Sequence, residues 1–517
     1  SCAWGARTAA AVLSCERVAV SNPGLRKQQI PLGTSICVPE LEHGPSWVDT
    51  LRNSQPELSA ASPLCRWQRA ALGFLATGLP LGIVLSPDAT AMVVMALLTP
   101  AFFCVALLRA AAVADFATRR IDGQPDAAIA AANLPIYSIL VPLYREAHMA
   151  QSLVAALERL DWPVMHRDII FITEASDRET RLALEALVRD RIGMRILTVP
   201  PGAPQTKPRA LMYALPSATG AFVVVYDAED EPEPNQLQRA YRRFLTGGPE
   251  LGCLQARLNI YNPRDSWITR QFTLEYTALF DALLPAVERL QLPIPLGGTS
   301  NHFRREVLEQ SGGWDPYNVT EDADLGIRLA RQGWRVAMLD SITWEEAPET
   351  VASWLGQRTR WLKGWMQTSL VHLRRPVKLW EDLGPRGFLG FNVLMGGVIL
   401  SALVHPLVYA YAIGKLWAGD LSLWPPEGWA AVIWWAGAAN LVFAYVVGIV
   451  LVSLSAARRH GTGIALHAAF LPIYWIMISL AAYRALVDLA LRPFHWRKTE
   501  HAGQHAHHVR RSTAAVR

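Results

Sequence analysis

Two apolar blocks, residues 67–114 and 387–491, bracket a long stretch of ordinary soluble composition, and this layout constrains the chain more than any single motif. A run of about 20 apolar residues is enough to cross hydrocarbon. The first block reads as two membrane helices, roughly Ala70 to Leu85 and Ala89 to Val113, joined by the turn Ser86-Pro87-Asp88. Arg66 and Arg69 precede this pair, Arg119 and Arg120 follow it, and the turn between is acidic. Positive flanks remain on the cytoplasmic side, so the stretch 120–365 is expected there. Over 517 residues the net charge is only +5, while 51% are hydrophobic and the mean hydropathy is +0.17. The basic residues gather beside apolar runs, which suits a lipid bilayer with anionic headgroups. No nucleic-acid module is present, and no nucleic acid is expected as a partner.

The six cysteines, Cys2, Cys15, Cys37, Cys65, Cys104 and Cys253, form no C-x-x-C pair. Neither a disulfide framework nor a zinc site is indicated, and a reducing compartment is expected. Residues 1–66 mix Pro, Gly, Ser and charge without periodicity and read as a linker or the remnant of a domain. Glu16 and Arg17 interrupt the early apolar run, so no signal peptide is expected.

Within 120–365 short β-rich runs alternate with helical ones, the pattern of a mostly parallel sheet covered by helices. The expected strands are Tyr137 to Val141, Asp168 to Ile172, Arg195 to Val199 and Phe222 to Tyr226. Helices are expected near Ala150 to Leu160, Glu179 to Arg191, Pro208 to Leu215 and Gln236 to Leu245. Neither G-x-G-x-x-G nor G-x-x-x-x-G-K occurs, which removes dinucleotide and P-loop readings. Ligands of open α/β sheets lie beyond the carboxyl ends of strands. Those ends are acidic here: Glu146, then Glu174 and Asp177, then Asp227-Ala228-Glu229-Asp230.

The stretch Asn318 to Trp361 carries the rest of the chemistry. Thr320 is a good N-cap, followed by Glu321, Asp322 and Asp324, with Gly333 as C-cap. Farther on, Gln357 and Trp361 stand four apart and share a helical face with Trp354 and Trp365, flanked by Arg360. Each feature has a plainer reading. Acids in a first turn complement the helix dipole, and Trp with Arg often marks a membrane interface. Asp227 and Glu229 can face one divalent cation, and Lys207 can reach a diphosphate, although loop acids and hydrated lysines are common.

In order along the chain, VPLYREA, ITEASD, TKPRAL, DAED, GGTSNHFRR, TEDADLGIRLARQGW and QRTRW resemble the family 2 glycosyltransferases. The likeness is to the membrane-embedded, cellulose-synthase-like and processive β-glycan synthase group, over about Pro135 to Gln367. It implies a GT-A fold, Rossmann-like α/β, inserted between blocks of transmembrane helices. It also implies a nucleotide-sugar donor, usually a UDP-sugar, a Mg²⁺ or Mn²⁺ ion, and inversion at the anomeric carbon. By resemblance Asp227 and Glu229 hold the metal, Glu174 and Asp177 contact the nucleoside, and Lys207 the diphosphate. Asp322 is then the catalytic base with Glu321 beside it. Gln357, Arg360 and Trp361 clamp the diphosphate and the acceptor, and Gly298 and Thr299 bring backbone close to the acceptor. Two positions depart from the family pattern: Glu229 where a second aspartate is usual, and Glu174-Ala175 where paired aspartates are usual. His302 reads as structural.

A sugar hydroxyl must lose a proton as it attacks, and a leaving diphosphate must be stabilised by cations. Paired carboxylates alone equally suit a hydrolase, but the metal-type motif and the lysine favour transfer. The acceptor is expected to be a growing glycan, passed on through the protein's own spans, or a glycolipid used once. A membrane receptor or export subunit without activity is the remaining alternative, and the layout leaves room for export or regulatory subunits. Residues 366–386 read as an interfacial amphipathic helix and 387–491 as three or more spans, about Gly387 to Ala412, Gly428 to Leu454 and Gly463 to Leu491. A single last span would place the basic tail 492–517, with Arg492, Arg497, Lys498 and Arg510, on the wrong side for its charge, unless Pro472 divides it. The tail histidines His501, His505, His507 and His508 read as part of a disordered cytoplasmic segment, with metal binding as the alternative.

Overall fold

The computed structural model describes residues 47–62, 64–119, 134–419 and 427–495. The readings for 1–46, Arg120 and the tail from 496 onward, including its histidines and Arg497, Lys498 and Arg510, lie outside the described residues. Cys65, Cys104 and Cys253 are free thiols.

Helices α1 (Arg66–Leu85) and α2 (Pro87–Thr118) lead into an α/β domain on one eight-stranded sheet. Its strands are β1 Tyr137–Leu143, β2 Arg167–Glu174, β3 Met194–Val199, β4 Phe222–Val225, β5 Glu231–Pro232, β6 Leu251–Ile260, β7 Asn301–Arg304 and β8 Arg335–Glu345. They lie in the order β3-β2-β1-β4-β7-β6-β8-β5. β1 to β4 pair in parallel, as apolar runs joined by helical crossovers must. The sheet is mixed rather than mostly parallel. β7 runs antiparallel between β4 and β6, and β8 lies parallel to β6. The later strands escaped the sequence reading because buried polar residues (Gln255, Asn259, Ser341, Thr343) interrupt their apolar pattern.

Alternation along the strands divides the core. Ile139, Val141, Phe171 and Val224 pack with residues of α3 (Ala150–Glu158), α4 (Arg178–Val188) and α6 (Gln236–Thr246). Leu140, Ile170, Val223 and Val225 face the other way, into a cluster that runs through α5 (Lys207–Ala214) and α7 (Trp267–Thr277) to the membrane helices. The antiparallel direction of β7 positions the loop ahead of it. Asn301 pairs with Val225, so that loop arrives beside Asp227.

Beyond the sheet come α8 (Glu321–Arg331), α9 (Val351–His372), α10 (Pro376–Phe391), α11 (Gly397–Trp417), α12 (Trp429–His460) and α13 (Leu471–Leu491). Five segments are long and apolar enough to span a membrane: Arg66–Leu85, Pro87–Thr118, Pro376–Trp417, Trp429–His460 and Thr462–Leu491. The single interfacial helix expected over 366–386 is divided. α9 ends at His372, Pro376 opens α10, and Gly384 adopts φ of 65° ahead of Pro385. Proline removes a helical donor and disfavours helix in the residue before it.

The last apolar stretch is broken near Pro472, and its packing answers the charge problem. A short helix at Thr462–Ala465 and a 3₁₀ turn at Leu466–Phe470 precede α13. At its start, Tyr474 accepts from Trp354 Nε1 of α9 at 2.9 Å. Past its end, Lys363 Nζ of the same α9 donates to the carbonyls of Arg492 at 3.2 Å and His495 at 2.7 Å. Ala481, Ala482 and Ala485 pack against Leu362 and Met366, small residues letting the two helices approach closely. α13 therefore runs alongside α9, whose Lys363, Thr368 and His372 are buried at the domain. Both ends of α13 lie against α9, and the described residues Arg492, Pro493 and His495 stay beside it. Cysteines introduced at Arg492 and at Arg189 should react with an impermeant maleimide from the same side, and one at Trp417 from the opposite side. Labelling of Arg492→Cys together with Trp417→Cys would contradict this path.

Candidate active site

Lys207 begins α5, directly beyond the sheet, and its ammonium is the hub of the site. Nζ donates to the Asp227 carboxylate and, at 2.6 Å, to the carbonyl of Gly298. Burial alone would favour neutral lysine, but Asp227, Glu321 and Asp322 outweigh it and hold the pKa above the usual lysine range. Asp227 follows β4, Gly298 precedes β7, and Ser300 in the same loop takes φ of 57°. Such backbone is tolerated where neighbours over-determine it, and here Ser300 N donates to Val225 O at 2.7 Å and its hydroxyl reaches Thr343 at 2.7 Å.

The acidic loop turns one carboxylate inward. Asp230 accepts the Asp227 N–H at 2.6 Å and the Thr299 hydroxyl. Burial, then the charges of Asp227 and Glu229, push its carboxyl well above the normal range. Glu345, at the end of β8, is raised by burial and by the same three acids, because β5 pairs with β8 immediately beside it. Among the described residues no three His, Cys, Asp or Glu side chains are grouped so as to hold a metal unaided. The donor set nevertheless fits a hard divalent cation. Asp227 and Glu229 offer carboxylate oxygens to the cavity, and Mg²⁺ typically takes one or two carboxylates and completes its shell with phosphates and water.

Glu321 and Asp322 occupy the first turn of α8. Burial, then Asp322, raise the Glu321 carboxyl to about 8, against the pull of Lys207 and Arg360. Asp322 is also raised, by burial foremost, while the Ala323 N–H at 2.8 Å, Lys207 and Arg360 oppose the shift. The helix start was expected to favour ionised Asp322. The local N–H does so, but burial is the larger effect. The expected Thr320 cap bond is absent, since Thr320 Oγ1 is buried without a partner. Gly364 of α9 presses on that side chain so closely that a Cβ there would collide with it.

α9 supplies the remaining residues. Gln357 is buried with Oε1 unpartnered, and Arg360 NH1 points at Val319 O, 3.5 Å away. Trp361 lies 6.0 Å from the Tyr276 ring and 4.6 Å from the Arg358 guanidinium, which is bidentate with Glu275 at 2.8 and 2.6 Å. A cavity of about 1080 Å³ joins all of this, lined by Glu174, Lys207, Asp227, Glu229, Gly298, Thr299, Glu321, Asp322, Glu345, Gln357, Arg360 and Trp361, and it continues between the membrane helices.

The residues expected at the site fare unequally. Glu174 lines the cavity and pairs with Arg209 at 3.4 Å, burial raising its carboxyl. Asp177 does not line it. Its carboxylate caps α4 by accepting the Thr180 N–H at 3.3 Å and also takes the Arg145 N–H. Thr299 lines the cavity, and its hydroxyl donates to Asp230 and so helps fix the acidic loop. Gly298 keeps a passage open, since a Cβ there would stand 3.4 Å from Asp322 Oδ2. His302 is buried between Tyr137 (2.7 Å) and Gln236 (3.2 Å), neutral with its pKa lowered to about 3. Asp230 was read only as one of the acids at the end of β4, and Glu345, Arg358 and Glu275 were not foreseen. For Glu345 the strand-end rule that flagged Asp227 would have served, had β8 been read as a strand.

Gly364→Ala must separate α9 from the start of α8, costing about 1–3 kcal/mol of stability and lowering turnover, checked by thermal unfolding and sugar transfer. The raised pKa of Glu321 means that the folded state keeps a proton which the unfolded chain releases above about 4.5. Stability from that group is therefore full below 4.5 and lost as pH rises towards 8. The melting temperature of the parent should fall more steeply than that of Glu321→Gln across this window, and parallel curves would remove the assignment.

Comparison with known proteins agrees with the geometry. Residues 135–364 match the family model described as glycosyltransferase like family 2. Among curated proteins, a Bacillus subtilis (strain 168) protein named probable glycosyltransferase YdaM is 27% identical over 390 residues, spanning 72% of this chain and 88% of that protein. Probable glucomannan 4-beta-mannosyltransferase 6 of Oryza sativa subsp. japonica is 28% identical over 246 residues, 45% of this chain and 42% of its own length. Among solved structures, mannosyltransferase PcManGT from Pyrobaculum calidifontis, in complex with GDP-Man and Mn²⁺, superposes with a TM-score of 0.49 at 21% identity, covering 77% of this chain and 99% of that one. With the ordered acids on a GT-A sheet, the family match and the glycosyltransferase relatives identify residues 135–364 as a family 2 glycosyltransferase domain and the protein as a glycosyltransferase.

Proposed function

We propose that the protein is an inverting transferase that moves a sugar from a nucleotide-sugar donor, a UDP-sugar by family resemblance, onto a glycan growing at the cytoplasmic face of the inner membrane. The observation that carries this reading is the continuity of the cavity. It begins at Glu174 and Lys207, passes Asp322 and Trp361, and reaches Tyr409, Tyr411 and Lys415 towards the far end of the membrane helices. A donor entering from the domain and an acceptor entering from the membrane would meet at Asp322.

In this reading Glu174 faces the nucleoside, while Lys207 and Arg360 hold the diphosphate and stabilise the charge that grows on it as the sugar leaves. A Mg²⁺ or Mn²⁺ ion held by Asp227 and Glu229 would neutralise that charge further. Asp322 accepts the proton of the attacking hydroxyl. Glu321, protonated, adds no second charge beside it and can donate a hydrogen bond. Gln357 offers its unpartnered amide oxygen to a hydroxyl, and Trp361 presents what Tyr276 and Arg358 leave uncovered to an acceptor sugar. The aromatic and hydroxyl groups along the membrane part of the cavity suit passage of a glycan.

Asp322→Asn keeps the shape and loses proton acceptance, so transfer should fall by roughly 10²- to 10⁴-fold with donor affinity nearly intact. Parental turnover in that variant would reassign the base. Asp227→Ala, or excess chelator on the parent, should abolish transfer of label from the nucleotide sugar, and full activity under either condition would remove the metal. Sizing the labelled product of purified protein separates a polymer from a single addition.

A further inference from the structure

Residues 47–62 lead towards α1 and are held on the catalytic domain. They form a helical turn at Thr50–Ser54 and a 3₁₀ turn at Pro56–Leu58, with Leu51 and Leu58 buried. Arg374, just beyond α9, donates to the carbonyls of Glu57 and Ser59, each at 2.9 Å, and of Ser62 at 2.6 Å. The segment is thus a strap laid on the domain before the chain enters α1.

The strap grips the loop 315–320, immediately ahead of α8. The buried Asp315 carboxylate accepts the Ala60 N–H at 2.6 Å, the Ser59 hydroxyl at 3.3 Å and the Tyr317 N–H at 3.1 Å. The Tyr317 hydroxyl donates to Asp49 at 2.9 Å, and its ring meets that of Phe494 edge-on, 5.4 Å between centroids, where the chain has left α13. Gln367 of α9 joins the same parts. It accepts the Val319 N–H at 3.2 Å and donates to the Pro493 carbonyl at 2.9 Å. From another side the hydroxyl of Thr206, next to Lys207, donates to Pro316 O at 3.0 Å.

These bonds bear on catalysis through the way α8 begins. The first N–H groups of a helix have no intrahelical acceptor, so its opening turn is placed by what lies outside it. Thr320 supplies no side-chain cap, and the anchor from Asp324 to Arg328 and His372 comes only after Glu321 and Asp322. Thr320, Glu321 and Asp322 line the cavity, whereas Asp315 and Tyr317 are not among its lining residues. Burying a carboxylate is costly unless its bonds are made, and Asp315 makes its bonds to the strap and the loop, not to the reacting groups.

We propose that Asp315 and Tyr317 are positioning residues for transfer: they tie the loop before α8 to the strap 47–62 and to the segment after α13, and so set where Asp322 stands in the cavity. The inference rests on the transferase reading with Asp322 as base, and it makes the stretch before α1 part of the catalytic unit. A displacement of about 1 Å, caused by a change far from the chemistry, can cost roughly a hundredfold in rate.

The test measures kcat and donor KM of the full-length protein in nanodiscs with Mn²⁺ and whichever of UDP-glucose, UDP-N-acetylglucosamine and GDP-mannose the parent turns over fastest. Tyr317→Phe keeps the ring on Phe494 and removes the bond to Asp49, while Asp315→Asn keeps the shape and removes the charge that gathers three donors. Tyr317→Phe should lower kcat by about 3- to 10-fold and Asp315→Asn by about 10- to 100-fold, with donor KM changed by less than about twofold. Because the effect runs through Asp322, the same changes made in Asp322→Asn should alter kcat by less than about twofold, whereas a general loss of packing would subtract the same factor in either background. Parental kcat in Tyr317→Phe would overturn the inference, as would a loss that appears in KM instead, or equal factors in the two backgrounds. Tyr317→Phe decides alone where Asp315→Asn does not fold. Two outcomes fall on the underlying reading instead. Turnover of no donor by the parent defeats the transferase reading, and parental turnover in Asp322→Asn defeats the base assignment, each removing the ground of this inference.

Discussion

The Lys207 ammonium joins parts of the chain that are remote in sequence. It bonds Asp227 behind β4 and the Gly298 carbonyl before β7, and through charge it faces Glu321 and Asp322 at the start of α8. A single cation cannot neutralise these acids together with Asp230 and Glu345, and the carboxyls of Asp230, Glu321 and Glu345 are pushed up accordingly. Burying unpaired charge costs several kcal/mol per ion. Lys207 meets part of that cost by pairing with Asp227. The sheet topology makes this possible. Only because β7 runs antiparallel beside β4, and β8 closes next to the loop after it, do the acids converge.

α9 transmits this arrangement to the membrane. On one side Gly364 lets it press against Thr320, and His372 Nε2 meets Asp324 Oδ1 at 3.1 Å, with Asp324 bound also to Arg328 at 2.9 Å. Arg331 extends the network to His372 at 3.1 Å and to Asp382 of α10 at 2.8 Å. These groups are buried and mutually satisfied, the condition under which interior charges rigidify rather than destabilise. On its other side α9 carries α13, so α9 packs on both the start of α8 and the last apolar helix. Burial of Asp324 beside exposed-looking acids thus has a plain cause. Of the three carboxylates in the first turn of α8, two face the cavity and the third anchors the helix.

What could be read in the sequence depended on whether burial followed a simple period. Strands β1 to β4 did, and their expected limits lie within two residues of the observed ones. β6 and β8 bury Gln255, Asn259, Ser341 and Thr343 and so were invisible to an apolar pattern. With them went Glu345, whose place in the site comes from strand pairing between distant segments. The motif residues Lys207, Asp227, Glu321, Asp322, Gln357 and Arg360 do converge on one cavity. Asp177 resembles a site residue locally, yet its carboxylate is consumed by backbone N–H groups, a fact that only tertiary contacts reveal. The reversed path of the C-terminal helix was foreshadowed by charge at Arg492, but its cause, small residues on α13 facing α9, required the packing.

The membrane half pairs charges at both of its borders. Asp88 is met by Tyr411 and by Lys415 at 3.2 Å where α2 begins, and Arg459 is bidentate with Asp281 at 2.6 and 3.0 Å where α12 returns to the domain. Arg458 donates to the carbonyls of Phe116 and, at 3.1 Å, Ala117, closing the end of α2. These contacts fix the helices at both borders, where water can share the cost of an imperfect pair.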